Sequence, residues 1–193
     1  SLTKNGEDVT LNKNYYRDVA IYFSFDANEQ LFYENRFMLG CKRGVQNCFP
    51  YGAVGLEQIL CCKIDKTDDT CFEKTVLWTP RWSTDPYIGG SNFFEYNNLI
   101  FSLARKNPNI LFVLRPHPLM FGNFIKTGEM TEQDVKQFKD YCQNENNIVL
   151  DESKEYFNRF WNSDLLITDA SGIVPEYFVT GRPILYCHSS ANF

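Results

Sequence analysis

The residues best suited to chemistry gather in three short clusters, each directly after an apolar run. The first is "TPRWS" (79–83), where Thr79, Arg81, Trp82 and Ser83 follow "TVLW" (75–78). Pro80 has no amide donor and blocks continuation of a strand. By itself this cluster reads equally well as a loop with a solvated Arg and a packed Trp. The second is "RPHP" (115–118), in which Arg115 and His117 alternate with prolines that fix φ and hold their predecessors extended. Two residues apart on an extended chain, both side chains point the same way. A guanidinium fork suits phosphate oxygens, and an imidazole suits proton transfer or hydrogen bonding to phosphate.

The third cluster lies in "SDLLITDASGIVPEY" (163–177). Asp169 to Gly172 read as a strand-to-helix turn, with Ser171 placed to cap and the N–H groups of Gly172, Ile173 and Val174 open to an anion. Pro175 fits a first helical turn, whose N–H groups lack intrahelical partners. Glu176 sits about one turn further on, where a carboxylate can accept sugar hydroxyls. Simple capping and dipole chemistry explains the same acids and small residues equally well. Together the three clusters call for one ligand with phosphates and a hydroxylated sugar, such as a nucleoside diphosphate.

The elements that must position these residues follow from hydrophobic period. From residue 75 onward, apolar runs of strand length alternate with amphipathic stretches, the pattern of parallel βαβ units. Strands are expected at 75–78, 110–115, 147–150, 165–168 and 184–187, mostly buried on both faces. A helix from about Asn92 should use Asn92 and Glu95 as a capping box and stop at Asn107 and Pro108. Another begins near Thr131, with Asp134 three residues on and Val135, Phe138, Tyr141 and Cys142 along one face. Ser153 is expected to cap a short helix with Tyr156, Phe157 and Phe160, and the last helix should run to Gly181. The expected fold is α/β, a Rossmann-like and mostly parallel sheet with helices on both faces; its ligand edge is the carboxyl end of the strands. Residues 1–72 are less regular, with a strand candidate in "VAIYFSF" (19–25) and two helical stretches around "NCFPYGAVGLEQIL" (47–60). They are expected to be a lead-in or linker from the end of an N-terminal half, with 73–193 forming the nucleotide-donor-binding domain.

Composition limits the alternatives. The 193 residues are 44% hydrophobic and 22% charged, enough for a good core, and the net charge of −5 with no basic run argues against a nucleic-acid partner. The seven cysteines form no CxxC pair, and only His117 and His188 could join them at zinc, so reduced thiols and no metal are expected. His188 reads as an ordinary surface or packing residue. GxxxxGK[ST] and GxGxxG signatures are lacking, which argues against P-loop and dinucleotide-dehydrogenase chemistry. No apolar run has the length of a membrane span. The start at Ser1 and the stop after a strand suggest a piece of something longer.

In order and spacing, "VLWTPRWS", "FVLRPHP" and "LLITDASGIVPEYFVTGRPILYC" resemble the C-terminal half of the CDP-glycerol glycerophosphotransferase family, the teichoic acid polymerase and primase type. The resemblance covers about residues 20–190. It implies the C-terminal domain of a GT-B fold, with the active site in a cleft against a second Rossmann-like domain. Arg115 and His117 match the family's Arg-x-His-Pro and would be the catalytic pair near the donor diphosphate. Thr168, Asp169, Ser171 and Gly172 match its phosphate-contacting Thr-Asp-x-Ser-Ser stretch, extended here to the Ile173 amide, and Glu176 matches an acidic position used for ribose. Thr79 and Arg81 fall on a Pro-Thr-Trp-Arg-like segment, with Arg and Trp displaced. Two departures concern the donor: Gly172 replaces a common second Ser, and "YGAVGLEQ" lacks the family's Arg and Asp.

The resemblance implies a transferase that moves glycerol phosphate, or a similar polyol phosphate, from a CDP-linked donor to a teichoic-acid-like polymer and releases CMP. The nucleotide-activated donor is a substrate, and no separate cofactor is implied. The acceptor, lipid-linked or polymeric, would dock through the N-terminal half, in the cytoplasm or at the inner face of the membrane, and the chain alone would be inactive. A UDP-type glycosyltransferase or epimerase of the same architecture stays open, as does a non-catalytic nucleotide-binding module.

Overall fold

The computed structural model describes residues 19–37, 46–63, 71–85, 90–169 and 171–187. His188 and Cys41 lie outside these residues. The described residues fall into two compact units that meet in sequence at Cys61 and Cys62.

The first unit is small. Strands β1 (Tyr22–Phe23) and β2 (Cys48–Phe49) pair in parallel, Tyr22 opposite Cys48 and Phe23 opposite Phe49. Helices α1 (Ala27–Phe37) and α2 (Val54–Cys61) follow them. The strand expected over 19–25 is only two residues long because Asp26 accepts the Glu29 N–H at 2.8 Å and turns the chain into α1. Gly52, at φ 78°, takes the left-handed turn after β2 and donates its N–H to the Ser24 carbonyl at 3.0 Å.

The second unit is built on five parallel strands: β3 (Lys74–Thr79), β4 (Ile110–Leu114), β5 (Ile148–Leu150), β6 (Leu165–Thr168) and β7 (Ile184–Tyr186). Their order across the sheet is β5-β4-β3-β6-β7. The chain starts in the middle at β3, winds outward to β5, then returns to the other side of β3 as β6. The strand order reverses between β3 and β6, and the carboxyl ends at such a switch point leave a crevice for a ligand. Both partners end in threonine: Thr79 pairs with Thr168 in register.

Alternation along the strands divides the core. Val76, Trp78, Phe112, Leu114, Ile148 and Ile167 join one cluster with α3 (Phe93–Lys106), α4 (Met120–Thr127) and α5 (Glu132–Asn144). Leu77, Val113 and Leu166 alternate with them and are also buried. On that side α6 (Phe157–Asn162) packs on β3, and Phe160 meets Tyr177 of α7 (Ile173–Phe178) edge to face at 5.5 Å. Helices therefore cover both faces of the central strands, which is why these read as continuous apolar runs, whereas Leu185 and Tyr186 on edge strand β7 stay about half exposed. Phe93 is the hub of the first cluster: it stacks on Trp78 at 5.6 Å and touches Phe121, Phe124 and Phe138. The Asn147 amide closes the bottom of the sheet by donating to the carbonyls of Ala104, Asn107 and Ile110.

Helix starts depart from expectation in three places. The Thr131 and Asp134 capping box forms as expected, with the Asp134 N–H donating to the Thr131 hydroxyl at 3.1 Å. Asn92, however, makes no side-chain cap; its amide donates instead to the Cys187 carbonyl at 2.9 Å, because the neighbouring strand end lies within reach. Ser153 does not cap either. Tyr156 occupies the cap of α6, and Ser153 is drawn to Arg115. Helix α4 was not expected. Its buried residues Met120, Phe121 and Phe124 do carry a helical spacing, but Pro118 before them and Gly122 among them mask it. The helix ends at Gly128, φ 81°.

Replacing Phe93 with Ala removes a fully buried ring from this hub. The expected cost is about 3–5 kcal/mol, read as a lower midpoint in urea denaturation. A loss below about 1 kcal/mol would mean that the cluster does not organise the sheet.

Candidate functional site at the sheet switch point

A cavity of about 430 Å³ opens at the carboxyl ends of β3, β4 and β6. That size is in the range of small-ligand sites. The end of β3 and the loop after it supply Thr79 to Trp82, the loop after β4 supplies Arg115 to Pro118, and the turn after β6 with the start of α7 supplies Ser171 to Ile173 and Glu176. Tyr156, just before α6, completes the wall. Of the residues marked out by sequence, Thr79, Arg81, Arg115, His117, Ser171, Gly172, Ile173 and Glu176 meet here. Thr168 and Asp169 do not line the cavity; both are buried beneath it.

Those two hold the site together. The Thr79 hydroxyl donates to the Thr168 hydroxyl at 2.9 Å, which in turn donates to the Thr79 carbonyl at 3.0 Å. Asp169, 2% exposed, accepts the Arg81 N–H at 2.8 Å on one carboxylate oxygen and the Asn92 N–H at 3.0 Å on the other. Burial pushes its pKa up, and these backbone donors and Arg81 work against that shift. Both oxygens already face backbone donors. Asp169 therefore positions the loop that carries Arg81 and Trp82.

His117 is held by its backbone and by one ring nitrogen. Nδ1 accepts the Leu119 N–H at 3.2 Å, and the Met120 N–H donates to the His117 carbonyl at 2.8 Å. An acceptor Nδ1 places the proton of the neutral ring on Nε2. The pKa is lowered by burial and then by the charge of Arg81. His117 is thus a neutral N–H donor at neutral pH, with the Trp82 ring 6.2 Å away on its flank.

Arg115 is more occupied than its sequence suggests. One terminal nitrogen donates to Asp151 at 2.8 Å and to the Ser153 hydroxyl at 3.3 Å; the other donates to the Ser153 carbonyl at 2.7 Å. Its guanidinium carbon lies 5.3 Å from the Tyr156 ring centroid. The Tyr156 phenol has a raised pKa, from burial and then from the Glu176 carboxylate beside it. Tyr156 and the Asp151–Ser153 anchor were missed by sequence reading. A Tyr among apolar residues and an Asp at a strand end carry no spacing of their own; only the adjacency of β4 and β5 reveals them.

The turn after β6 also differs from expectation. Gly172, not Ser171, is the cap residue of α7, and Ser171 Oγ accepts the Ile173 N–H at a long 3.4 Å. The Val174 N–H donates to the Ser171 carbonyl at 3.3 Å, so the expected set of three open amides is reduced. With six residues, α7 brings only a short stack of peptide dipoles. Among the described residues no group of three or more His, Cys, Asp or Glu could hold a metal ion, and no helix is long and apolar enough to cross a membrane.

A parallel sheet with its order reversed at β3/β6, and a cavity at that reversal, define a doubly wound, Rossmann-like α/β domain, similar to a domain of GT-B enzymes. Two solved structures of the Wall Teichoic Acid Polymerase TagF, each with one histidine substituted, share this fold. One gives a TM-score of 0.50 at 16% identity over 96% of this chain and 46% of that one. The other gives 0.51 at 16% identity over 95% and 44%. The chain thus spans less than half the length of either. No curated protein matches it. The chain belongs to the CDP-Glycerol:Poly(glycerophosphate) glycerophosphotransferase family, whose model matches residues 64–190.

Because Arg81 helps depress the His117 pKa, Arg81→Gln should raise it. The imidazole titration followed by NMR, with His117→Gln to assign the signal, should shift to higher pH. An unchanged or lower value would place the Arg81 charge elsewhere.

Proposed function

We propose that the switch-point cavity holds the nucleoside diphosphate end of a CDP-linked polyol phosphate donor. In this reading the parent protein transfers glycerol phosphate, or a similar polyol phosphate, to a surface polymer. The observation that carries it is the convergence of Arg81, Arg115, His117 and the Ser171–Ile173 turn on one cavity, in a chain matched by this family over 64–190. Each of these groups can donate to phosphate oxygens.

The reaction balances simply. An acceptor hydroxyl attacks the distal phosphorus of the donor, a new P–O bond forms, the bond to the bridging oxygen breaks, and CMP leaves. Catalysis rests on positioning and on neutralising charge along the diphosphate. A neutral His117 donates from Nε2 to the bridging or a distal oxygen and stabilises the charge of departing CMP; the Ser171–Ile173 turn and Arg81 take the remaining oxygens. Glu176, the one carboxylate lining the cavity among the described residues, accepts the ribose hydroxyls and is not the base. The acceptor's proton goes to a group outside this cavity, so transfer needs more than these residues. An acceptor carried on lipid would bring the parent to the inner face of the membrane.

Gly172 bears on the donor. Its φ of −62° is open to any residue, and a Cβ there would meet no atom within 4 Å. Gly172→Ser should keep the stability within about 0.5 kcal/mol and add a hydroxyl at the rim of the phosphate turn.

Calorimetric titration with CDP, UDP and GDP tests the reading. CDP should bind most tightly, and Gly172→Ser should tighten it a few-fold. A clear preference for UDP would favour a sugar-nucleotide enzyme of the same fold instead.

A further inference from the structure

Arg115 reaches the cavity wall from a mount built elsewhere. Asp151 follows the last residue of β5, and its N–H continues the ladder to the Leu114 carbonyl at 2.8 Å. Its side chain is 3% exposed and faces two guanidiniums: one carboxylate oxygen accepts from Arg115 at 2.8 Å and from Arg159 Nε at 3.0 Å. The other oxygen accepts the Ser153 N–H at 3.1 Å. Burial opposes the charge on Asp151, but the Ser153 hydrogen bonds and the two arginines outweigh it and hold the carboxyl below its ordinary range. Asp151 does not line the cavity.

A buried arginine with a private carboxylate would be a neutral pair, of little use to an anion. Here two arginines share one carboxylate, so the cluster keeps a net positive charge. The guanidinium is also fixed in direction: Asp151 and both oxygens of Ser153 hold its terminal nitrogens on one side, and the Tyr156 ring covers a face. A fixed donor costs less ordering on binding than a free one.

The geometry points to Asp151 as a positioning residue that aims Arg115 at the diphosphate, with Arg159 supplying the charge that keeps this wall cationic. This rests on the donor reading above, in that the ligand carries a diphosphate.

Two effects of Asp151→Asn oppose each other. The substitution adds one positive charge, which by itself tightens anion binding, and it frees Arg115 from its mount, which weakens it. The proposal requires the second to dominate. Titrating the 193-residue chain with CDP, inorganic pyrophosphate and cytidine should show Asp151→Asn binding CDP and pyrophosphate about tenfold more weakly, or worse, with cytidine unchanged. A folded Asp151→Asn that binds both anions as tightly as the parent, or more tightly, overturns the proposal.

Removing one partner of a buried ion pair can unfold a protein. If thermal melting shows that Asp151→Asn does not fold, Arg159→Gln decides the matter, since that side chain is 39% exposed and leaves the Arg115–Asp151 pair in place. It should bind pyrophosphate several-fold more weakly at low salt, the gap closing at high salt; no change at low salt overturns the proposal. A parent that binds pyrophosphate but prefers another nucleotide to CDP defeats the donor reading alone. A parent that binds neither defeats both.

Discussion

The buried carboxylate of Asp169 is the interaction on which the site depends. It stands at the end of β6, on the far side of the switch point from the loop it controls, and its two oxygens take the N–H groups of Arg81 and Asn92. Those residues begin and end the excursion from β3 to α3. Hydrogen bonds to a charged group are worth about 1.5–3 kcal/mol each, enough to offset much of the cost of burying the charge. Together with the Asn92 amide on the Cys187 carbonyl, those two bonds hold both ends of the excursion at the sheet edge. Arg81 and Trp82 thus stand beside His117, and the Arg81 charge favours the neutral ring.

The rest of the site is layered on that seam. The threonine pair ties β3 to β6 under the cavity, and Asp151 ties the ends of β4 and β5 through Arg115. Each link joins segments far apart in sequence, and each is completed by the parallel register of the sheet. Aromatic packing beneath seats α3 on β3: Trp78 and Phe93 lie nearly parallel, with rings tilted by only 7°. Core and site are therefore continuous from Phe93 through β3 to Thr79.

Much of this was legible in the sequence. The five strands, their parallel arrangement and the three polar clusters at their ends follow from apolar run lengths and from proline placement, since a buried parallel strand needs no alternation. What stayed hidden were the partners of polar side chains. Asn92 and Ser153 look like helix caps by local spacing, yet the Asn92 amide donates to the Cys187 carbonyl, and the Ser153 hydroxyl donates to the Glu155 carbonyl while accepting from Arg115. Thr168 and Asp169, expected as phosphate contacts from the family resemblance, are buried and bond to β3 and the loop after it. Helix α4 was missed although Met120, Phe121 and Phe124 carried its signal.

The electrostatic character of the cavity follows from these links. A neutral His117 adds no charge beside Arg81, Arg115 is held and partly balanced, and Glu176 lies beside Tyr156. The most direct measurement is a crystal structure of the chain with CDP. The expected result has the diphosphate within hydrogen-bonding distance of His117 Nε2 and of the Gly172 amide, with the ribose on Glu176. A nucleotide bound outside this cavity, or bound with its phosphates turned away from His117, would contradict it.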